Sequence, residues 1–521
     1  MGKLIAIRAQ NLRSLEDTGF IEFRPITVLV GRNSAGKSTF ARILPLLRQT
    51  AEVRKREPVL WWGRFVDFGS FGDSIRRDST EKEIEFSFKV LLDSHTREIS
   101  PITWSTAGQP PVTTRTAEAS LILAEGQKKN EAFLSRICIK EETNKYKIYF
   151  SQDHNIEKIE VNEYAWTPPA NTIQKINFNT IFPEINFFRT RKLKTPDGKT
   201  VNIQHRDDPL TTELTSFFYQ RKLVHSNTGW DAIWHICRQI DTRTADSALK
   251  SIKSIVDAPP SWYRATQNIE AKDSRVDELR NRILASKVIS LIEQIDEIVT
   301  NSASNCSYIE PLRATAERYY RKQGLAVAEV DSKGANVPFF LESLTPTDRE
   351  KFNAWMQRYL EANVQTSSDG GHLSIRIKDK TGLEANLADV GFGFSQVLPV
   401  ALQLWSSTRR IRGKSIRNTA EAIVVIEQPE LHLHPDYQAK IADLLKSAIE
   451  AGDTTTIVET HSASLINRLG ILIATGELEP SDVQILRFDK TEGQASTSVS
   501  KSEFDEDGVL RNWPFGFFDG Q

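Results

Sequence analysis

Cysteine is scarce in this chain. There are three in 521 residues, Cys138, Cys237 and Cys306, far apart and in no Cys-x-x-Cys pair. That spacing excludes a disulfide framework and a cysteine-built zinc site. An excess of charge of one sign is lacking too: 67 lysines and arginines face 68 aspartates and glutamates, a formal net charge of −1. Such balance speaks against a surface that binds polyanions everywhere, while leaving room for a local basic groove. No apolar run approaches the roughly 18 residues of a membrane span. The N-terminal stretch MGKLIAIRAQNLRS carries charges within its apolar part, unlike a secretion signal. Internal repeats and low-complexity segments are missing as well. These absences leave a soluble chain, expected in the cytoplasm and without a membrane partner. At 521 residues, with 39% hydrophobic and 26% charged, it is too long for one core, and about three domains are expected.

What is present is concentrated in residues 22–48, EFRPITVLVGRNSAGKSTFARILPLLR. An apolar, β-branched run stops at Gly31, and an amphipathic helix opens near Lys37. Between them Gly31, Gly36, Lys37 and Ser38 spell Gly-x-x-x-x-Gly-Lys-Ser, the phosphate-binding P-loop. The glycines permit backbone angles that turn successive N–H groups toward an anion. Lys37 supplies a point charge for the β- and γ-phosphates, and the Ser38 hydroxyl is placed to ligate Mg²⁺. Asn33, Ser34, Ala35, Gly36, Lys37, Ser38 and Thr39 are therefore the expected contacts of ATP.

Further along, short alternating runs at 83–92, 119–124, 133–140, 145–151 and 156–161 are separated by polar turns and predict an antiparallel sheet. Residues 103–118 read as a loop. From about Leu210 to Val299 the spacing is helical, with a break at Pro259-Pro260. The stripe Val276, Leu279, Ile283, Val288, Leu291, Ile295 and Ile298 predicts one long helix that packs into a core. After residue 306 strands return. Residues 372–379 and 383–390 read as a hairpin, and 421–427 and 454–459 as buried strands separated by a helix. The division expected is 1–165 with the P-loop and antiparallel strands, 166–305 mainly helical, and 306–521 completing a parallel α/β core.

Three features of the last third belong with the P-loop. The strand Ile423–Ile426 ends in Glu427-Gln428-Pro429-Glu430, an acid at a strand end beside a P-loop, the Walker B arrangement in which a carboxylate holds the Mg²⁺ shell. Glu427 is the expected metal-side acid. The next position, where a carboxylate would polarise the attacking water, holds Gln428, an amide that orients water but is a very poor base. Glu430 is the candidate replacement through the turn. The run VETHS places His461 just beyond the following strand. The turn 389–396 (DVGFGFSQ) precedes a helix expected to begin near Ser395, and a Gly-rich turn opening a helix is again an anion site. His432 and His434, on a turn with no third ligand, read as structural.

Taken together, GRNSAGKST, the DFGSFGD turn, YIEPLRATAERYY with VDSKGANVP, DVGFGFSQVLPV, IEQPELHLHP and VETHS resemble, in order, the OLD-like, SMC/RecF-related branch of the ABC-type AAA ATPases. The tail FDEDGVLRNWPFGFFDG resembles the C-terminal signature of a subfamily that includes ATPase subunits of Septu and retron-associated anti-phage defence systems. The resemblance implies an α/β ABC-type head, with a mixed and parallel sheet core, an antiparallel β subdomain and an inserted helical domain. It also implies ATP and Mg²⁺ as cofactors, and His461 on the γ-phosphate. Heads of this type close as a dimer, or a higher even oligomer, with Gly391, Gly393, Ser395 and Gln396 serving the other copy's nucleotide. The partners it implies are an HNH nuclease and, in retrons, a reverse transcriptase with its DNA. With about sixty residues after His461, no Toprim nuclease domain is expected. Two other functions fit the residues. One is a DNA-repair clamp, with Arg409, Arg410, Arg412 and Lys414 on duplex DNA; the other is a scaffold for which ATP is structural. The dense aromatics Trp513, Phe515, Phe517 and Phe518 are expected to be buried on the core or under a partner.

Overall fold

The computed structural model describes residues 2–93, 114–128, 130–194, 200–270, 273–324, 327–379, 381–413, 421–450, 452, 454–490, 496–514 and 517. Its centre is a parallel sheet in the order Val483–Lys490, Ile26–Gly31, Thr454–Glu459, Ala422–Glu427 and Cys306–Ile309. The strands Ile26–Gly31, Ala422–Glu427 and Thr454–Glu459 are buried along their whole length, as their β-branched runs require of strands covered on both faces. Alternate residues serve two cores. Val424, Ile426 and Val458 face one that includes Leu398, Leu444 and Leu469 from three helices, whereas Ile423, Val425 and Ile457 face the other.

One edge of this centre continues through Thr497–Phe504, Leu15–Asp17 and Lys3–Leu12 into an antiparallel run that ends at Tyr164–Trp166, and the whole is one 16-stranded sheet among the described residues. The P-loop strand thus lies between two segments from the far end of the sequence. The expected antiparallel strands and the parallel core are both present, and the chain has the mixed α/β architecture anticipated.

The 166–305 segment, expected to be mainly helical, also contains strands. It opens with a three-stranded antiparallel sheet, Ile173–Asn177, Glu184–Lys194 and Thr200–Asp207, whose outer strand is exposed nearly throughout and so carries no apolar alternation to read. The helices that follow have a core of their own, including Leu214, Phe218, Ile236 and Trp262. The long helix Ser274–Ser304 ties that core to the head. Its Val276, Leu279 and Ile283 lie in the insertion, and its Val288, Leu291 and Ile295 in the sheet's core. At 31 residues it is about 46 Å long.

The expected hairpin of 372–379 with 383–390 is present as His372–Lys378 and Glu384–Asn386. The stretch read as a loop at 103–118 is corrected at its end, because Thr114–Glu125 is a strand, and 94–113 lie outside the described residues. Lys414 and the side chains of Arg409, Arg410 and Arg412 also lie outside them, as do Phe515 and Phe518. Trp513 and Phe517 pack together, ring centroids 4.6 Å apart, against the helical face of the head.

Candidate functional site

The P-loop leaves the sheet at Gly31, whose φ of 147° and close approach to the neighbouring strand (a Cβ would stand 2.3 Å from the Phe488 carbonyl oxygen) exclude a side chain. It re-enters helix at Lys37–Ala41, continued after Arg42 by Ile43–Glu52. Gly36, at φ 91°, opens that helix; there a Cβ would lie 2.7 Å from the Ser14 hydroxyl oxygen. Ser34 takes the left-handed region as well, at φ 62°. The loop surrounds a cavity of about 300 Å³ lined by Asn33, Ser34, Ala35, Gly36, Lys37, Ser38 and Thr39, with Arg13, Ser14, Gln428 and Glu459 on the other sides.

Lys37 is buried and its ammonium donates to the Gly31 and Arg32 carbonyl oxygens, 2.9 Å each, with Glu459 Oε1 4.0 Å away. Burial first of all lowers its pKa, against the pull of Glu459 and Glu430. The charge is thereby stored at the floor of the cavity, where an incoming phosphate would repay the lost hydration.

Glu427 and Glu459 end adjacent strands in register with one another. Both carboxylate oxygens of Glu427 are bonded. Arg42 donates to both its oxygens at 2.7 Å, Tyr308 donates its hydroxyl at 2.8 Å, and Arg313 donates to its backbone carbonyl at 2.8 Å. Glu459 is also buried, and it lines the cavity together with Ser38. Its Oε2 is buried and has no hydrogen-bond partner. Burial pushes this carboxyl up to about 7, and the Glu427 carboxylate adds to the effect.

Gln428 lines the cavity with a left-handed backbone, φ 43°, and donates its N–H to the Glu459 carbonyl at 2.7 Å. A non-glycine residue held there stores local strain, which the Arg313 contact and this hydrogen bond maintain. Glu430 is buried beneath the next turn, not on the cavity wall, and its Oε1 accepts the His461 backbone N–H at 2.6 Å. Its placement is that of a support for the His461 turn. His461 stands exposed beside the P-loop, its pKa lowered first by partial desolvation and then by the Lys37 charge.

The Gly391 turn does not line the P-loop cavity of its own chain. The helix expected from Ser395 begins earlier, at Phe392, because Gly391 at φ 88° makes the turn. Ser395 and Gln396 consequently fall inside the first turns and are buried, which removes them from the surface. Gly391 is exposed, and Gly393 abuts the His432 carbonyl oxygen, where a Cβ would lie at 3.1 Å.

An Mg²⁺ implied by the P-loop fits these residues: Ser38, with its hydroxyl, and Glu459, with an unpartnered buried carboxylate oxygen, offer hard donors and line the same cavity. Among the described residues no group of three or more His, Cys, Asp or Glu side chains could hold a metal, so phosphate oxygens would complete the shell.

Sequence reading missed Glu459, Arg42 and Arg13. Arg13, at φ 52°, lines the cavity from the turn after the first strand, with its guanidinium 4.4 Å above the Phe68 ring and donating to the Asp67 carbonyl. The signal was present in the DFGSFGD turn, which supplies both partners. For Glu459 it was the acid in VETHS, passed over for the histidine two residues on.

The fold and this cavity define a P-loop ATPase class. The chain belongs to the AAA ATPase domain family, whose model matches residues 3–466. Residues 478–521 match a second model, described as a protein of unknown function (DUF3696). That segment supplies the strand Val483–Lys490 beside the P-loop strand. None of the curated proteins matches the chain. Among solved structures it is similar to the Smc head domain of Pyrococcus furiosus bound to the C-terminal domain of ScpA (12% identity, 96% of each chain covered, TM-score 0.33). It is also similar to the SMC head domain from Thermotoga maritima (9% identity, 96% of this chain and 98% of that one, TM-score 0.32). Likeness of that size is too slight to add to the strand order described above. Among the described residues no helix is long and apolar enough to cross a membrane.

Proposed function

We propose that this chain binds ATP with Mg²⁺ and hydrolyses it slowly, and that two copies close head to head over the nucleotides. In this reading the closed dimer controls a partner nuclease of HNH type in bacterial anti-phage defence. The observation that carries the ATP reading is the cavity of about 300 Å³ in which a buried lysine, the Ser38 hydroxyl, Gln428 and Glu459 converge. Lys37 neutralises the β- and γ-phosphates; Mg²⁺ would add charge stabilisation at the phosphate oxygens. Gln428 orients the attacking water without taking its proton. Attack at the γ-phosphorus breaks its bond to the bridging oxygen, and the proton leaves on the phosphate product. The absence of a carboxylate at Gln428 is what makes turnover slow.

The dimer draws support from the exposed Gly391 turn, which lies apart from its own chain's cavity. Its glycines, rather than the buried Ser395 and Gln396, would meet the partner copy's nucleotide. The nuclease, and in retrons a reverse transcriptase with its DNA, are supported by the tail's resemblance to defence ATPases. A cytoplasmic site follows from that reading.

The decisive experiment measures binding of a fluorescent ATP analogue to the full chain and to Lys37→Ala. A loss of about 10–100-fold is expected for removing a charge-assisted contact. Unchanged affinity would sink the assignment.

A further inference from the structure

Two acids stand at the ends of neighbouring strands beside one P-loop, and only one is free to act on a cation. The Glu427 carboxylate is gripped in plane by Arg42 through two bonds of 2.7 Å and capped by Tyr308 at 2.8 Å. A bidentate guanidinium takes the directional lone pairs of a carboxylate and cancels its charge. Glu427 is also absent from the cavity wall. Glu459 differs on each count. It lines the cavity with Ser38 and lies 4.0 Å from the Lys37 ammonium, too far for a direct hydrogen bond. Its Oε2 is buried and bonded to nothing. A buried, unpartnered carboxylate oxygen is costly in a folded chain, and on a cavity wall a cation can relieve that cost.

We propose that Glu459 is the carboxylate of the magnesium site, and that Glu427 is a positioning residue locked by Arg42 and Tyr308. This rests on the nucleotide-binding reading above. Because Glu427 and Glu459 are paired across adjacent strands, the Arg42 clamp on one fixes the strand end that carries the other. A single protein carboxylate with one hydroxyl is a weak site by itself, so the cation enters with the nucleotide, as befits an ion that keeps its water and takes phosphate oxygens.

The test uses Mn²⁺ in place of Mg²⁺, with free Mn²⁺ followed by electron paramagnetic resonance during titration of the full chain saturated with ATP in the cold. A fluorescent ATP analogue in EDTA gives nucleotide affinity without metal. Glu459→Gln is expected to weaken Mn²⁺ binding at least tenfold while nucleotide affinity in EDTA holds or improves. Glu427→Gln is expected to keep Mn²⁺ affinity within threefold and to lower the melting temperature. If Glu427→Gln does not fold, Tyr308→Phe loosens the same clamp and is expected to leave Mn²⁺ affinity within threefold. Full Mn²⁺ affinity in Glu459→Gln overturns the proposal whatever the other variants do. So does a tenfold loss in Glu427→Gln, or in Tyr308→Phe standing in for it, matched by no loss in Glu459→Gln. Failure of the unmodified chain to bind nucleotide both in EDTA and with metal present strikes the nucleotide reading instead.

Discussion

Glu427 and Glu459 close neighbouring parallel strands in the same register, yet one has both carboxylate oxygens bonded and the other keeps an oxygen that no donor reaches. The pair separates two uses of a buried charge. A fully bonded carboxylate fixes geometry, and removing its partner exposes the cost of having buried it. A partly bonded carboxylate is a standing cost to the empty fold, tolerable where a ligand relieves it. Substitutions at the two positions should therefore move stability in opposite directions.

The largest effect is expected from Arg42→Ala. It strands Glu427 in the core and should lower unfolding free energy by about 3–5 kcal/mol in urea titrations. Adding Glu427→Met to that variant should recover most of the loss, since an apolar pair of similar volume avoids the stranded charge. Failure to recover would mean that Arg42 acts through something other than the pair. Next comes Glu459→Gln, for which a gain of about 1–2 kcal/mol in the nucleotide-free protein is expected in the same titration, the mark of a residue kept for binding rather than for folding. A loss would erase the contrast. Tyr308→Phe, which removes one of the donors to Glu427, should cost about 1 kcal/mol. Of similar or smaller size is Glu430→Gln. Its amide oxygen can still accept the His461 N–H, so melting should shift little, whereas Glu430→Ala should cost about 1–3 kcal/mol by leaving that N–H unbonded.

How much of this could be read from the chain follows from where each signal sits. The P-loop was legible because Gly31 through Thr39 are contiguous and each residue type has a local reason. The buried strands were legible because apolar β-branched runs have one use. The order of those strands was not. Nothing in VETHS says that its strand lies between the P-loop strand and the Glu427 strand, and the role of Glu459 comes from that order. Arg42 reads as the polar side of an amphipathic helix, and only the packing of that helix onto the sheet turns it toward Glu427. The Ser395 misplacement has a similar cause. Helix boundaries depend on which backbone takes the left-handed turn, and that was Gly391 rather than a residue nearer Ser395.

The P-loop strand pairs with Thr454–Glu459 on one side and Val483–Lys490 on the other, and this arrangement sets a timetable for the newborn chain. A ribosome delivers Gly31 early and must add more than 400 residues before Thr454 exists. At about 5–20 residues per second the interval is roughly 20–85 s. Throughout it the Ile26–Gly31 strand has no mate in the finished sheet and two unclaimed edges, the condition in which strands seek improper partners. Truncated products ending before residue 454 should accordingly be sticky and unable to retain nucleotide.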